Sequence, residues 1–237
     1  SVANLKLAYK SAKLSRSRRA LAEALARADE VGENGFIQSV KIGHIVVSVY
    51  KLVDGGSGSY IKHALSTLSN MISLGIIPDT PIFNNVIDMC AKSKCHSGYD
   101  LALEQLDLMI SIGVLPDLLT FTSLATACAK AGRWKESLTL LDDAVHRHGI
   151  SPDRIMYTSV IKACASEGRW KEAMKVCATM RKRKILMDNV AYNAIITACG
   201  NAGKWDVALK VRHLMCREGF EPDHYTYTAL VSAFDKG

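Results

Sequence analysis

GRWKE occupies residues 132–136 and recurs unchanged at 168–172, and a third copy, GKWD, lies at 203–206. The tryptophans of the three copies are 36 and 35 residues apart. A fixed period of this length is typical of repeat proteins, in which each unit packs mainly against its neighbours in the chain. The period therefore predicts an array of similar units instead of one globular core.

Two further residue types follow the same period. Cysteines recur in apolar stretches at Cys90, Cys128, Cys164 and Cys199. An aspartate, preceded by proline or once by methionine, ends each unit at Asp79, Asp117, Asp153, Asp188 and Asp223. These positions predict units over 80–117, 118–153, 154–188 and 189–223, a truncated unit over 224–237, and degenerate N-terminal helical repeats over 1–79.

Each unit has the apolar pattern of two helices. In 154–188, apolar side chains recur at helical spacing from Ile155 to Cys164, Gly168 interrupts the pattern, and a second series runs from Trp170 to Met180. Neither helix can bury its apolar face alone, so adjacent helical hairpins must share a continuous core. The sequence predicts an all-α solenoid of helix-turn-helix repeats.

Composition and charge restrict the possible functions. Of the 237 residues, 49% are hydrophobic and 22% are charged, which is ordinary for a folded protein. The net charge of +7 favours an anionic partner, but nucleic acid, acidic lipid and acidic protein would all satisfy it. No apolar run approaches the roughly 18 residues of a membrane-spanning helix, so we expect no membrane insertion.

The sequence predicts neither a catalytic site nor a metal or cofactor site. The glycine-rich run 55–58 is not followed by the Lys-Ser/Thr of a phosphate-binding loop. Cys95 and His96, taken with Cys90 and His63, match no established zinc-ligand spacing. No paired carboxylates or nucleophile motif are visible. We therefore expect no enzymatic activity within this chain.

One repeat shows a known pattern in full. Residues 190–196 have the sequence VAYNAII, and Cys199, Gly203, Trp205 and a final Asp223 follow. This unit resembles the pentatricopeptide repeat family position by position, whereas the early tryptophan and Gly-x-x-Tyr core of tetratricopeptide repeats are missing. Similar helix starts occur at 82–87, 120–124, 156–161 and 226–231.

The resemblance is specific over 80–237 and weak over 1–79. It implies a right-handed superhelix whose first helices line a concave face, and it implies binding of single-stranded RNA inside a mitochondrion or plastid. Residues 1–22 contain six basic side chains and no acidic one. They resemble either the tail of a transit peptide or a basic degenerate repeat, and we favour the repeat.

The resemblance also implies which residues recognise bases. In this family one repeat contacts one base, through the residue after the aromatic residue of the first helix and through the last residue of the repeat. The implied pairs are Asn84 with Asp117, Thr122 with Asp153, Thr158 with Asp188, and Asn193 with Asp223, and Thr228 starts a fifth pair. The resemblance assigns uracil to Asn–Asp and guanine to Thr–Asp, so the predicted core is 5′-UGGU followed by a purine.

Elementary chemistry agrees with this assignment. A carboxylate only accepts hydrogen bonds, so it suits the N3–H of uracil or the N1–H of guanine. Leu119, Ile155 and Val190 lie three residues before a recognition residue and share its helix face, where they would sandwich bases. Pro81 and Tyr225 hold the equivalent places and depart from this aliphatic pattern.

Structural interpretations exist for the same residues. An aspartate before a helix is a favoured N-cap, the periodic cysteines suit small buried spacers, and the tryptophans would pack on the neighbouring hairpin. At the level of function, we predict an RNA-binding adaptor that acts by occupancy. One alternative is a structural subunit of a large organellar assembly, such as a mitochondrial or plastid ribosome, whose partners would be other proteins of that complex. Another is the repeat part of a protein-only ribonuclease P, because the chain ends in mid-hairpin and we expect it to be incomplete.

Overall fold

The structure is a computed structural model that describes residues 2–15, 18–33, 39–55, 57–93 and 97–236. Gly56 of the glycine-rich run and the Cys95-His96 pair lie outside these residues. The described part of the chain contains thirteen α-helices and no strand, which confirms the all-α repeat solenoid. The helices are α1 (Val2–Ser15), α2 (Arg18–Glu33), α3 (Val40–Asp54), α4 (Ile61–Ser73), α5 (Thr80–Lys92), α6 (Gly98–Ser111), α7 (Leu118–Ala131), α8 (Trp134–His146), α9 (Arg154–Ser166), α10 (Trp170–Lys182), α11 (Asn189–Asn201), α12 (Trp205–Arg217) and α13 (His224–Lys236).

The predicted unit boundaries coincide with helix starts. Helices α5, α7, α9, α11 and α13 each begin at the residue after one of the periodic aspartates. Helices α8, α10 and α12 each begin at one of the periodic tryptophans. The odd-numbered helices from α5 onward are therefore the first helices of hairpins, and α6, α8, α10 and α12 are the second helices. The division into separate repeat domains stays a prediction.

The glycine of the GRWKE repeat makes the turn between the two helices of a hairpin. Gly132, Gly168 and Gly203 have φ values of 68°, 63° and 65°. Side chains with a Cβ rarely adopt this left-handed conformation, so glycine is the residue that ends the first helix at little steric cost. The recurrence of glycine two residues before each tryptophan follows from this backbone requirement.

The helices group into two compact units, Ser1–Ser123 and Leu124–Gly237. In the first unit, Tyr50, Leu68, Met71, Phe83 and Ile87 are fully buried. They come from α3, α4 and α5, so the first and second helices contribute to one apolar core.

In the second unit, α11 packs against the first helices α9 and α13 and against its own partner α12. Tyr157 and Tyr192 are the large side chains at its centre, and Ala173 and Ala208 of the second helices are completely inaccessible to solvent. A Cβ added at Gly200 of α11 would lie 2.8 Å from the carbonyl oxygen of Ala229 in α13. The two first helices therefore approach each other too closely for any larger residue at this contact.

Two of the three periodic tryptophans, Trp134 and Trp205, contact the neighbouring hairpin, as predicted. The guanidinium carbon of Arg169, at the start of α10, lies 4.9 Å from the centre of the Trp134 ring in α8. The Trp205 ring stacks on Phe234 of α13 with 5.6 Å between ring centres. These two rings join successive hairpins.

The periodic cysteines are buried spacers. Cys90, Cys128, Cys164 and Cys199 are all inaccessible or nearly so. Burial raises the pKa of Cys90 to about 12 and the pKa values of Cys164 and Cys199 to about 11. Thiols with such pKa values stay protonated at neutral pH and pack as small apolar side chains.

Candidate nucleic-acid interface

The periodic aspartates are helix N-caps, which confirms the capping interpretation. In every case one carboxylate oxygen accepts a hydrogen bond from the backbone N–H three residues later, and this satisfies one of the unpaired donors of the first turn. The N···O distances are 3.2 Å for Asp79, 2.9 Å for Asp117, 2.8 Å for Asp153, 2.9 Å for Asp188 and 2.9 Å for Asp223. Capping therefore accounts for one carboxylate oxygen and leaves the other for a second role.

Asn193 and Asp223 belong to a hydrogen-bond network at the predicted interface. Asn193 Nδ2 donates to Asp223 Oδ1 and Oδ2 over 3.0 and 3.1 Å. The hydroxyl of Thr226 donates to Asn193 Oδ1 over 2.6 Å and accepts the backbone N–H of Asp223 at 3.1 Å. The structure thus brings together a predicted recognition pair and adds a threonine that sequence analysis did not identify.

The same network occurs in the first unit. Asn84 Nδ2 donates to both oxygens of Asp117 over 3.0 and 3.1 Å, and Thr120 donates to Asn84 Oδ1 over 2.6 Å. Asn84 is buried, and Thr120 is completely so. The two Asn–Asp pairs of the chain are therefore built alike, although their helices belong to different units.

The threonine recognition residues have a different environment. Within the second unit, no hydrogen bond joins Thr158 to Asp188, and the buried hydroxyl of Thr158 has no hydrogen-bond partner among the described residues. Asp188 instead faces Arg154, whose Nε lies 3.5 Å from its Oδ2. Thr122 and Thr228 each donate to the carbonyl four residues earlier in their own helix, over 2.7 and 2.8 Å. Thr158 and Asp188 are therefore not joined as Asn193 and Asp223 are.

The side chains predicted to sandwich bases are exposed on the first helices. Leu119 is 56% exposed, Ile155 60% and Val190 46%, and Tyr225 at the equivalent place is 74% exposed. An aliphatic residue of a first helix would ordinarily be expected in the core. Each of these residues instead presents an apolar surface about one helical turn before a predicted recognition residue.

Asp223 is held in its charged form. The pKa of its carboxyl lies below the ordinary value of 3.8, first because the backbone N–H of Thr226 donates to it, and further because the Thr226 hydroxyl and the Asn193 amide do so. The group is consequently a permanent acceptor at neutral pH. Such a carboxylate attracts an N–H on a base edge and repels a ring nitrogen that carries a lone pair.

A cation-rich cluster lies on the first helices of the first unit. Asp88 Oδ2 lies 2.7 Å from Lys51 Nζ and 2.9 Å from Lys92 Nζ. Burial raises the pKa of Asp88, but hydrogen bonds and attraction from the two lysines outweigh burial and lower it overall. One carboxylate is thus shared by two ammonium groups, which leaves a net positive charge on this surface.

Sequence analysis missed Thr120 and Thr226, although a signal was present. Where the predicted recognition residue is asparagine, a threonine stands three residues after the paired aspartate. Where it is Thr122 or Thr158, Met156 or Ala191 stands at that place. The correlation has meaning only once the structure shows that the hydroxyl reaches an asparagine of the preceding hairpin.

The part of the chain that the structure describes contains no group of three or more His, Cys, Asp or Glu side chains that could hold a metal ion. Within the same residues, none of the helices combines the length and the apolar character needed to cross a membrane.

Periodic helical hairpins, each with an aspartate that caps its first helix, define a helical-repeat protein. Three family models match the second half of the chain: a PPR repeat family model at 187–236, a pentatricopeptide repeat domain model at 139–202, and a PPR repeat model at 119–147. The chain belongs to the pentatricopeptide repeat family. No curated protein matches the sequence.

Solved structures show the same fold. The crystal structure of the maize pentatricopeptide repeat protein PPR10 is 26% identical, with a TM-score of 0.66, over 98% of this chain and 31% of that one. PPR10 in complex with an 18-nucleotide psaJ RNA element is 23% identical, with a TM-score of 0.69, over 92% and 31% of the two chains. The PPR domain of Arabidopsis thaliana protein-only RNase P 1 in complex with tRNA is 14% identical, with a TM-score of 0.67, over 81% and 99%. The present chain thus spans 31% of the length of the maize protein's chain.

Proposed function

We propose that this chain binds single-stranded RNA and that each complete repeat selects one base. The observation that supports this most is the Asn–Asp network, which recurs with the same distances at Asn84 and Asn193. Membership of the pentatricopeptide repeat family and the RNA-bound relatives, PPR10 with its psaJ element and the RNase P domain with tRNA, support the same ligand class.

The Asn–Asp network suits uracil. The amide of Asn193 has two N–H bonds, of which one points to Asp223 and the other remains for a base. Uracil offers O4 as an acceptor beside the N3–H donor, so an amide N–H and a carboxylate oxygen match its pairing edge. Cytosine offers the reverse pattern, a donor beside an acceptor, and would place its N3 lone pair against the carboxylate.

The Thr–Asp pairs suit a larger base. The Thr158 hydroxyl has no hydrogen-bond partner among the described residues, and it can donate or accept. Guanine offers N1–H and an amino group to the carboxylate of Asp188 and has its own acceptors for a hydroxyl. With two threonine units between the two asparagine units, the proposed core stays 5′-UGGU, followed by a purine at the Thr228 unit.

Stacking completes the proposed binding mode. A base between Ile155 and Val190 would cover apolar surface that is now exposed to water. Single-stranded RNA can present unstacked bases in this way, whereas duplex RNA keeps its pairing edges hidden. The mechanism is occupancy: the bound segment is shielded from nucleases or competing structure, and no covalent bond changes.

We place the protein in a mitochondrion or plastid, as an adaptor in the processing, stabilisation, splicing or translation of a transcript. The net charge of +7 supports an anionic ligand and does not distinguish between the two organelles. Proteins of an organellar ribonucleoprotein would be secondary partners.

Competition binding tests the proposal. A labelled 12-nucleotide RNA that contains UGGU is displaced by unlabelled single strands in which one of the four positions is changed, and by the same sequence as a duplex. The proposal expects strong displacement by the unchanged strand, weaker displacement by each altered strand, and little displacement by the duplex. Equal displacement by all competitors would mean that the protein binds RNA phosphates without base selection, and it would favour the structural-subunit alternative.

A further inference from the structure

We infer that Thr120 and Thr226 are positioning residues that preset the amide orientation of Asn84 and Asn193 and thereby separate uracil from cytosine. This inference rests on the proposed function, since it concerns how the same site selects a base. Neither threonine belongs to a predicted recognition pair, and both come from the first helix of the hairpin that follows the asparagine.

The geometry is the same in both copies. The hydroxyl oxygen lies 2.6 Å from asparagine Oδ1 and 3.1 Å from the backbone nitrogen of the aspartate, for Thr120 and for Thr226 alike. Both threonine side chains are completely buried, so water does not compete for these bonds. Because the same arrangement recurs at two places in the chain, we take the contact to be a specific feature of the Asn–Asp pairs.

The direction of each bond follows from the number of hydrogens. The Thr226 oxygen accepts the N–H of Asp223, and its single hydrogen can serve one acceptor. Asn193 Oδ1 at 2.6 Å is closer than Asp223 Oδ1 at 3.0 Å, so the hydrogen goes to the amide. If the amide were rotated by 180°, Nδ2 would lose the carboxylate and the amide oxygen would face a negative charge. The threonine and the aspartate therefore select the same orientation.

A preset orientation determines what the base meets. With Oδ1 occupied by Thr226, the group that Asn193 offers outward is the second N–H of Nδ2. That donor complements O4 of uracil and opposes the amino group at the same place in cytosine. Without the hydroxyl, the amide can turn and offer Oδ1, which accepts from the cytosine amino group.

The threonine units show why the contact is confined to asparagine. Met156 and Ala191 occupy the corresponding place after Thr122–Asp153 and Thr158–Asp188, and neither side chain can donate a hydrogen bond. A threonine at the recognition position has no amide whose orientation must be set. The hydroxyl donor is thus present where an amide must be oriented and absent where no amide exists.

The test uses Thr226→Val, which keeps the shape of the side chain and removes the hydroxyl. Affinities for UGGU and UGGC are measured for wild type, Thr226→Val and Thr226→Ser. We expect wild type to prefer U at the fourth position by about fivefold or more, as a pair of hydrogen bonds to one base would give. The ratio should fall towards one in Thr226→Val and stay near the wild-type value in Thr226→Ser. Thr179→Val is the matched control, because this exposed threonine bonds only the carbonyl of Lys175 in its own helix.

Thr120→Val makes the test independent of folding. It should reduce the preference for UGGU over CGGU at the first position and leave the fourth position unchanged, while Thr226→Val does the opposite. General destabilisation would lower all affinities together and cannot produce this reciprocal pattern. If wild type prefers U at both positions and both valine variants keep that preference, the positioning role is wrong and the proposed function stands. If wild type itself does not distinguish U from C, base selection by these pairs is wrong and the positioning role fails with it.

Discussion

Asn193 Nδ2 lies 3.0 Å from Asp223 Oδ1, and this contact joins two hairpins across 30 residues of sequence. The two members of a predicted recognition pair are thus bonded to each other before either could meet a base. A preformed pair loses less side-chain entropy on binding than two mobile side chains would. Asp223 Oδ1 also accepts the backbone N–H of Thr226 and caps α13, so the predicted recognition pair lies at the boundary between two repeats.

Replacing Asn193 tests base recognition directly. Asn193→Thr converts the unit to the threonine type, so preference at the fourth position should move from U towards G and the first three positions should keep theirs. A wrong base typically costs about 1–3 kcal/mol where hydrogen bonds decide the choice. Competition between UGGU and UGGG measures the change. The double variant Asn193→Thr/Thr226→Ala also reproduces the alanine of the Thr158 unit and should complete the shift, whereas unchanged preference in both variants would favour a structural role.

The protonation of Asp223 should affect stability at low pH. Because its pKa is lower in the folded protein than the ordinary 3.8, its contribution is fully present above the unfolded value and is lost as pH falls through the folded pKa. Asp223→Asn removes this titration. We expect the melting temperature of wild type to exceed that of Asp223→Asn at pH 6 and the gap to narrow below about pH 3.8. A gap that does not depend on pH would mean that the charge of Asp223 is not the stabilising feature.

Ala208 tests the packing of the second helices. Its side chain is completely buried, and Ala208→Leu would force a larger side chain into a filled core. We expect a loss of about 1–3 kcal/mol in the free energy of unfolding through overpacking. Denaturant titration measures it, with Ala178→Leu on the exposed face of α10 as the control. Equal midpoints for wild type and Ala208→Leu would show that the site can adapt.

Gly200 tests the close approach of two first helices. In an ordinary helix, glycine to alanine stabilises by roughly 0.5–1 kcal/mol. Here the added Cβ would lie 2.8 Å from a backbone carbonyl oxygen, so Gly200→Ala should destabilise. Gly43→Ala in α3 would meet the flexible end of Met71, which can move aside, and should cost less. A melting temperature of Gly200→Ala above that of wild type would disprove the close contact between α11 and α13.

The salt dependence of binding should distinguish contacts with the RNA phosphate backbone from recognition of bases. For single-stranded RNA, the logarithm of the binding constant should fall with the logarithm of salt concentration by about 0.7 for each phosphate neutralised. The pair Lys51 and Lys92, which share Asp88, offers few net charges, so we expect a shallow slope. Lys92→Ala should make the slope shallower without changing the preferred sequence. A change in base preference would show that Lys92 contacts a base.

Much of the fold follows from local sequence signals. Asp153 caps α9, and Gly168 follows the end of that helix with a positive φ that other residues rarely adopt. Trp170 then begins α10. Each signal acts within a few residues, so its period in the sequence becomes the period of the structure. The exposed positions of Ile155 and Val190 were likewise predicted from spacing along one helix face.

The sequence alone determined the repeat and the helix starts, because these depend on short-range backbone geometry and on a fixed period. The members of each proposed recognition pair came from the resemblance to a known repeat family. Only the tertiary structure decided which pairs are joined. Thr226 reaches Asn193 across 33 residues because α11 and α13 lie side by side, and neither residue carries a local signal of the other. Thr158 and Asp188 have similar spacing in sequence, yet the described structure contains no hydrogen bond between them. A hydrogen bond requires two atoms within about 3 Å, and that distance is set by the packing of helices rather than by the period of the chain.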